Sequence, residues 1–387
     1  MPSHSSIRMW RLHTVRALAW ALLLGGWVGL GSFAQALAPG TFSPFGLLAA
    51  WLLATAIFET CIDALRLRPW TLRGLLLGAP ALVAWALHAA LHGRGFAALW
   101  LASLAWAWIC AIAMVSVRAC REAGSEGLRR RSSALAAASG AFLVWIVAGD
   151  IGHLNVLQTN LTSGTLVACL LLAALMPRRR PAPGTDGPAD DCASLIWLAG
   201  RATAWRRGPL VIASLAMPAM MSSLPQMVAL CRSTAVSPQW VLGLHLAAMF
   251  MPAVLLADRP SGVAVAPVAC ACLLVVGALV LLFAPDATVW WGVALAHGSA
   301  WSLGWAARPE SAEAGLRAPS FAGIATSAML VAVLGAAVVA VGIRGIEGWH
   351  LLLGLAALLT IAVPIVRGLH SSHAAWGAYL TPHHRKD

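Results

Sequence analysis

The chain has 387 residues, of which 60% are hydrophobic and only 10% charged, and it carries a formal net charge of +12. A soluble domain is about 45–50% apolar and about 25% charged. The composition therefore excludes a soluble globular enzyme, a disordered chain and a disulfide-built secreted module, and describes a protein whose solvent is mostly lipid.

At about 20 residues per membrane-spanning helix, the chain divides into twelve apolar runs. The first, 17–36, follows Arg8, Arg11 and Arg16. Ala34-Gln35-Ala36 resembles a signal-peptidase site, but the stretch is long enough to span, and it is expected to stay as the first helix. Run two, 44–62, ends among Glu59, Cys61 and Asp63. Asp63 is within one helical turn of Arg66, so an ion pair is expected there; Glu59 is a candidate for proton coupling or a structural charge at the helix end. Runs three and four, 74–92 and 96–117, carry His88 near an outer end, where an interfacial position is expected. Run five, 133–153, closes on Asp150 and His153, whose spacing of three shares a helix face. They form either a proton relay or outer gate, or a solvated helix end. Run six is 161–176.

Segment 177–208 is polar and opens on Pro177-Arg178-Arg179-Arg180. Its stretch Leu195–Trp205 is amphipathic and expected to lie on the membrane surface. Beyond it come runs seven, 209–229, with Met217 and Met221; eight, 238–257, with His245 and Met249; nine, 263–285; ten, 288–307, with His297; eleven, 320–343; and twelve, 348–366. The tail holds His370, His373, His383 and His384, scattered enough to read as solvated. Two six-helix halves, 1–176 and 209–387, thus flank a linker, the layout of a transporter built from two repeats.

Charge tests this count. With a cytoplasmic N-terminus and one crossing per run, all but three of the 26 Lys and Arg residues fall inside; the exceptions are Arg94, Arg232 and Arg344. This is the positive-inside pattern. The fold expected is an all-α membrane protein of twelve transmembrane helices with both termini cytoplasmic. The basic balance thereby marks a bilayer face, and no nucleic-acid partner is expected. The eight cysteines contain no CxxC pair, so neither a zinc site nor a disulfide framework is indicated. No P-loop, Rossmann glycine pattern or HExxH occurs, and no enzymatic constellation stands out.

Chemistry concentrates in runs seven and eight. Residues four apart lie on one helix face, so Met217 pairs with Met221 and His245 with Met249, all near mid-span. Three thioethers and one imidazole suit Cu(I) and suit Mg²⁺, Ca²⁺ or Mn²⁺ poorly. Such neutral ligands favour reversible binding. Methionine in such a helix also packs simply as an adaptable apolar side chain. Cys231, just past run seven, is a candidate capture thiol or a small buried hydrophobe; His297 is a further ligand or a gate.

Met217–Gly262 resembles the copper-importing, CcoA-like branch of the major facilitator superfamily. The resemblance is carried by Met217-x-x-x-Met221 and His245-x-x-x-Met249, with Pro225, with Met249-Phe250-Met251-Pro252, and with Leu256-Ala257-Asp258-Arg259-Pro260-Ser261-Gly262, similar to the superfamily's Asp-Arg loop. It implies copper import across a bacterial inner membrane for cytochrome c oxidase assembly. Copper, free or as a small chelate, is then the substrate, no cofactor is permanently bound, and copper chaperones or oxidase assembly factors are the partners. Two alternatives stay open: a proton-coupled exporter of an organic solute, and a non-transporting copper or haem assembly protein of the membrane.

Overall fold

A computed structural model describes residues 4–37, 43–65, 67–119, 126–148, 153–176, 237–256, 272–273, 276–277 and 289–306. Among these, eight α-helices are present: α1 His4–Leu37, α2 Ser43–Ala64, α3 Pro69–Ala89, α4 Gly95–Ala119, α5 Glu126–Ala148, α6 Leu154–Leu175, α7 Pro238–Leu256 and α8 Val289–Ala306. A π-turn, Ala90–Arg94, joins α3 to α4. The helices coincide with runs one to six, eight and ten. Runs seven, eleven and twelve, most of run nine, the 177–208 linker and the tail lie outside the described residues.

Five of the described helices are long and apolar enough to cross a bilayer: Met9–Ala34, Pro69–Gly93, Gly95–Val117, Leu154–Leu175 and Pro238–Leu255. Their outer faces are greasy. Leu77, Leu82 and Trp85 on α3 and Val167, Leu170 and Leu171 on α6 stand exposed, which in water would be an extensive apolar patch and in lipid is the matching surface. The chain is a multi-pass helical membrane protein.

Two helix starts differ from the hydropathy reading. α6 begins at Leu154 rather than at residue 161 because its polar first turns are internally satisfied: Thr159 Oγ1 donates to Asn155 O at 3.0 Å and Thr162 Oγ1 to Gln158 O at 2.9 Å. α1 begins at His4, so Arg16, counted above as a flanking loop charge, lies inside the helix and is fully buried. The physical reason is that the bundle extends past the apolar run, and an arginine stem can cover apolar surface.

α1 packs against α2, α4, α5 and α6, while α3 covers α4 and α6. Gly140 on α5 lets the two backbones meet, since a Cβ there would lie 2.5 Å from Ala17 O and 2.7 Å from Trp20 Cβ. Tryptophans fill the remaining volume. Trp106 donates Nε1–H to Leu22 O at 2.8 Å, and Trp27 meets Trp51 edge to face at 6.2 Å. α7 packs against both α5 and α8.

Candidate functional site

α7 has one lipid-facing stripe and one buried face. Trp240, Ala247, Met251 and Leu255 are exposed, recurring every seven and four residues as a helix requires. His245 and Met249 lie on the opposite side, both at 0% exposure. The four-residue spacing thus delivers an imidazole and a thioether, one turn apart, to the interior.

α8 supplies the partner. His297 is 3% exposed, and its ring stacks on His245 with centroids 5.6 Å apart and planes 18° from parallel. Gly298 makes this possible. A Cβ at that position would stand 2.7 Å from His245 O, 2.8 Å from Ala248 Cβ and 3.2 Å from Met249 N, so a larger residue would push α8 off the turn of α7 that carries both candidate ligands. Pro252 lies inside α7, three residues past Met249, and offers no N–H to the helical ladder. The amide of Ala253 donates to Ser302 Oγ at 2.9 Å, joining α7 to α8 beside that position.

The hydrogen bonds define the rings' chemistry. His245 Nδ1 donates to the carbonyl of Ala294 at 2.9 Å; a carbonyl can only accept, so in the neutral ring the lone pair resides on Nε2. A backbone acceptor at one imidazole nitrogen is the usual way a metal-binding histidine is held in tautomer and orientation. Both nitrogens of His297 are buried and have no hydrogen-bond partner among the described residues. Aromatic side chains of α1, α7 and α8 border this region: Trp20 meets Phe250 at 5.5 Å and Trp301 at 6.5 Å, and Phe250 meets Trp301 at 5.5 Å.

Of the residues singled out from sequence, His245 and His297 stack across two neighbouring helices, and Met249 is buried one turn from His245. Met217, Met221, Cys231 and Asp150 lie outside the described residues. Glu59 is buried in α2 at 6% exposure. His153 is exposed and precedes α6 as its N-cap residue, with extended backbone angles of −110° and 100°. It therefore starts the sixth helix instead of ending the fifth, and the helical spacing expected between it and Asp150 does not apply at His153. Among the described residues no three His, Cys, Asp or Glu side chains gather. A separate cavity of about 410 Å³, lined by Leu22, Trp106, Val144, Asn160 and Thr165 among others, opens between α1, α5 and α6 and holds none of the candidate ligands.

Sequence reading named His297 but not its partner, because stacking between distant positions is set by helix packing. Phe250 enters the sequence reading only within the Met249-Phe250-Met251-Pro252 stretch, and its grouping with Trp20 and Trp301 is not legible there, because nothing in a single sequence distinguishes these rings from other membrane tryptophans and phenylalanines.

No protein family matches the chain by sequence, and no curated protein does. Solved structures match by shape. The nucleoside transporter NupG superposes with a TM-score of 0.59 at 13% identity, covering 92% of this chain and 98% of its own. The human organic anion transporter MFSD10 gives 0.52 at 16%, covering 92% and 98%. The Escherichia coli fucose:proton symporter FucP gives 0.51 at 14%, covering 93% and 98%. The chain shares its fold with these transporters.

Proposed function

We propose that this protein is a transporter that imports copper, as Cu(I), across the bacterial inner membrane by alternating access, supplying cytochrome c oxidase assembly. The observation that carries the reading is the buried pairing of His245 with His297, with Met249 one turn from His245 on the same face of α7. Thioether and imidazole donors suit a soft monovalent ion, and the bond from His245 to Ala294 O holds a ring ready for a metal. Met217 and Met221 complete the donor set in this reading, Cys231 hands the ion inward from the outer side, and His297 joins or gates the site. The transporter fold supports movement of the ion between faces instead of permanent retention.

The test is uptake of radioactive copper in cells with and without the gene. His245→Ala at normal expression is expected to reduce uptake to the level of cells lacking the gene, and unchanged uptake would sink the assignment. A non-transporting assembly protein would instead purify with tightly held stoichiometric metal or a haem spectrum.

A second reading has its own support. The structural neighbours are named for nucleosides, organic anions and fucose, and Glu59 is a buried carboxyl in α2. Proton-coupled export of an organic solute would make Glu59→Gln inactive and leave Met249→Leu silent; copper import reverses the Met249 outcome.

A further inference from the structure

His88 and His92 stand at the corner where α3 passes into α4, well apart in sequence from the buried pair. Both are exposed. Their rings stack with centroids 4.1 Å apart and planes 27° from parallel. His92 Nδ1 donates to the carbonyl of His88 at 2.9 Å, which in the neutral ring leaves the lone pair on Nε2. The backbone here is unusual. Residues 90–94 form a π-turn, a feature common at functional sites, and the helical backbone breaks inside it at His92 and Gly93 and again at Gly95, the two glycines having φ of 107° and 55°. Only glycine adopts such angles readily, and α3 therefore ends with His88 in its last turn and His92 just beyond it in the π-turn.

We propose that His88 and His92 form a two-imidazole metal site on this corner, taking a divalent late transition ion, with Cu²⁺ preferred over Zn²⁺ and Ni²⁺. A metal–imidazole bond is about 2.0–2.1 Å, and the rings stack four residues apart, so turning them out of the stack would let both Nε2 atoms reach one ion. Borderline nitrogen donors follow the order that peaks at Cu²⁺ and leave hard Mg²⁺ and Ca²⁺ unbound. Among the described residues no third His, Cys, Asp or Glu joins the pair. Water or a small chelator then fills the remaining positions, and the ion exchanges readily. In the topology drawn from the charge pattern this corner is on the outer side, where such a site gathers metal at the membrane surface. The site rests on these two rings alone and stands whether or not copper is the cargo at His245.

The experiment uses the full chain, purified without a polyhistidine tag, in lipid nanodiscs and titrated with Cu²⁺ while electron paramagnetic resonance follows imidazole-nitrogen splitting. His88→Ala/His92→Ala is expected to bind one equivalent fewer than the unaltered protein, and either single substitution to weaken that equivalent roughly a hundredfold, because the second ligand then no longer acts intramolecularly. His245→Ala is expected to keep it. An identical stoichiometry and spectrum in the double variant overturns the proposal, as does loss of the equivalent in His245→Ala alone. Copper uptake by the double variant is read separately: abolished surface binding with residual uptake upholds both sites, whereas retained binding with abolished His245-dependent uptake overturns only this one. Both residues are exposed, so an unchanged melting curve shows that the variants are folded.

Discussion

The indole of Trp145, near the end of α5, donates its Nε1–H to the carbonyl of Gln239 in the first turn of α7 at 3.1 Å. This bond ties α5 to α7, and Trp145 also meets Trp240 there with ring centroids 5.3 Å apart. Trp145→Phe keeps a ring and removes the donor. It is expected to cost about 0.5–1.5 kcal/mol, and Trp145→Ala more, because packing is lost as well. Thermal unfolding of the solubilised protein checks the order; equal losses would mean that the hydrogen bond contributes nothing.

Gly298→Ala tests whether close helix approach builds the histidine pair. The added methyl group meets backbone atoms of α7 at His245 and Met249, and overpacking of this kind costs about 1–3 kcal/mol. Copper uptake is expected to fall sharply although no candidate ligand is altered. Full uptake with an unchanged melting temperature would show that α7 and α8 can part without harm to the site.

His297→Leu should separate stability from function. It deletes two buried ring nitrogens that have no hydrogen-bond partner among the described residues, and such groups are costly when left unsatisfied. The variant is expected to melt at a higher temperature while copper uptake falls. A lower melting temperature would mean that the ring is structural, and undiminished uptake would remove His297 from the site.

Met249→Leu conserves volume and is expected to cost less than about 1.5 kcal/mol, yet it replaces a thioether with a group that cannot bind a metal. A lowered apparent copper affinity in uptake assays, with normal folding, is the outcome expected. Normal affinity would leave Met249 as packing.

Arg11 and Arg73 reach the C-terminus of α6 from different helices: Arg11 Nε donates to Leu175 O and Arg73 to Met176 O, each at 2.7 Å. Cations at a helix C-terminus meet its exposed carbonyls and negative dipole end. Arg11→Met and Arg73→Met are each expected to cost about 1.5–3 kcal/mol, measured by thermal unfolding, without changing copper affinity. An unaltered melting curve would show that water replaces these bonds at no cost.

Much of this was legible in the sequence because lipid imposes two simple requirements, apolar length and internally satisfied backbone. The eight described helices follow the apolar runs for that reason. The starts of α1 and α6 did not, since hydropathy weighs Arg16 and Thr159 as loop formers, whereas a packed helix can bury an arginine or bond a threonine hydroxyl to its own previous turn. At the site, the shared face of His245 and Met249 follows from a spacing of four. The stacking of His297 does not, because it depends on how closely α8 seats against α7 at Gly298. The pairing of His88 with His92 obeys the same spacing, yet an exposed helix end reads as an ordinary interface until the π-turn is seen.

The link from Ser302 to the Ala253 amide has a mechanical corollary. Sliding α7 along α8 would break that bond between two buried residues. The two helices are thereby latched together, and the paired imidazoles travel as cargo on a single strut. Any rocking of the bundle would change which outside groups reach the rings, while leaving the rings in register with each other.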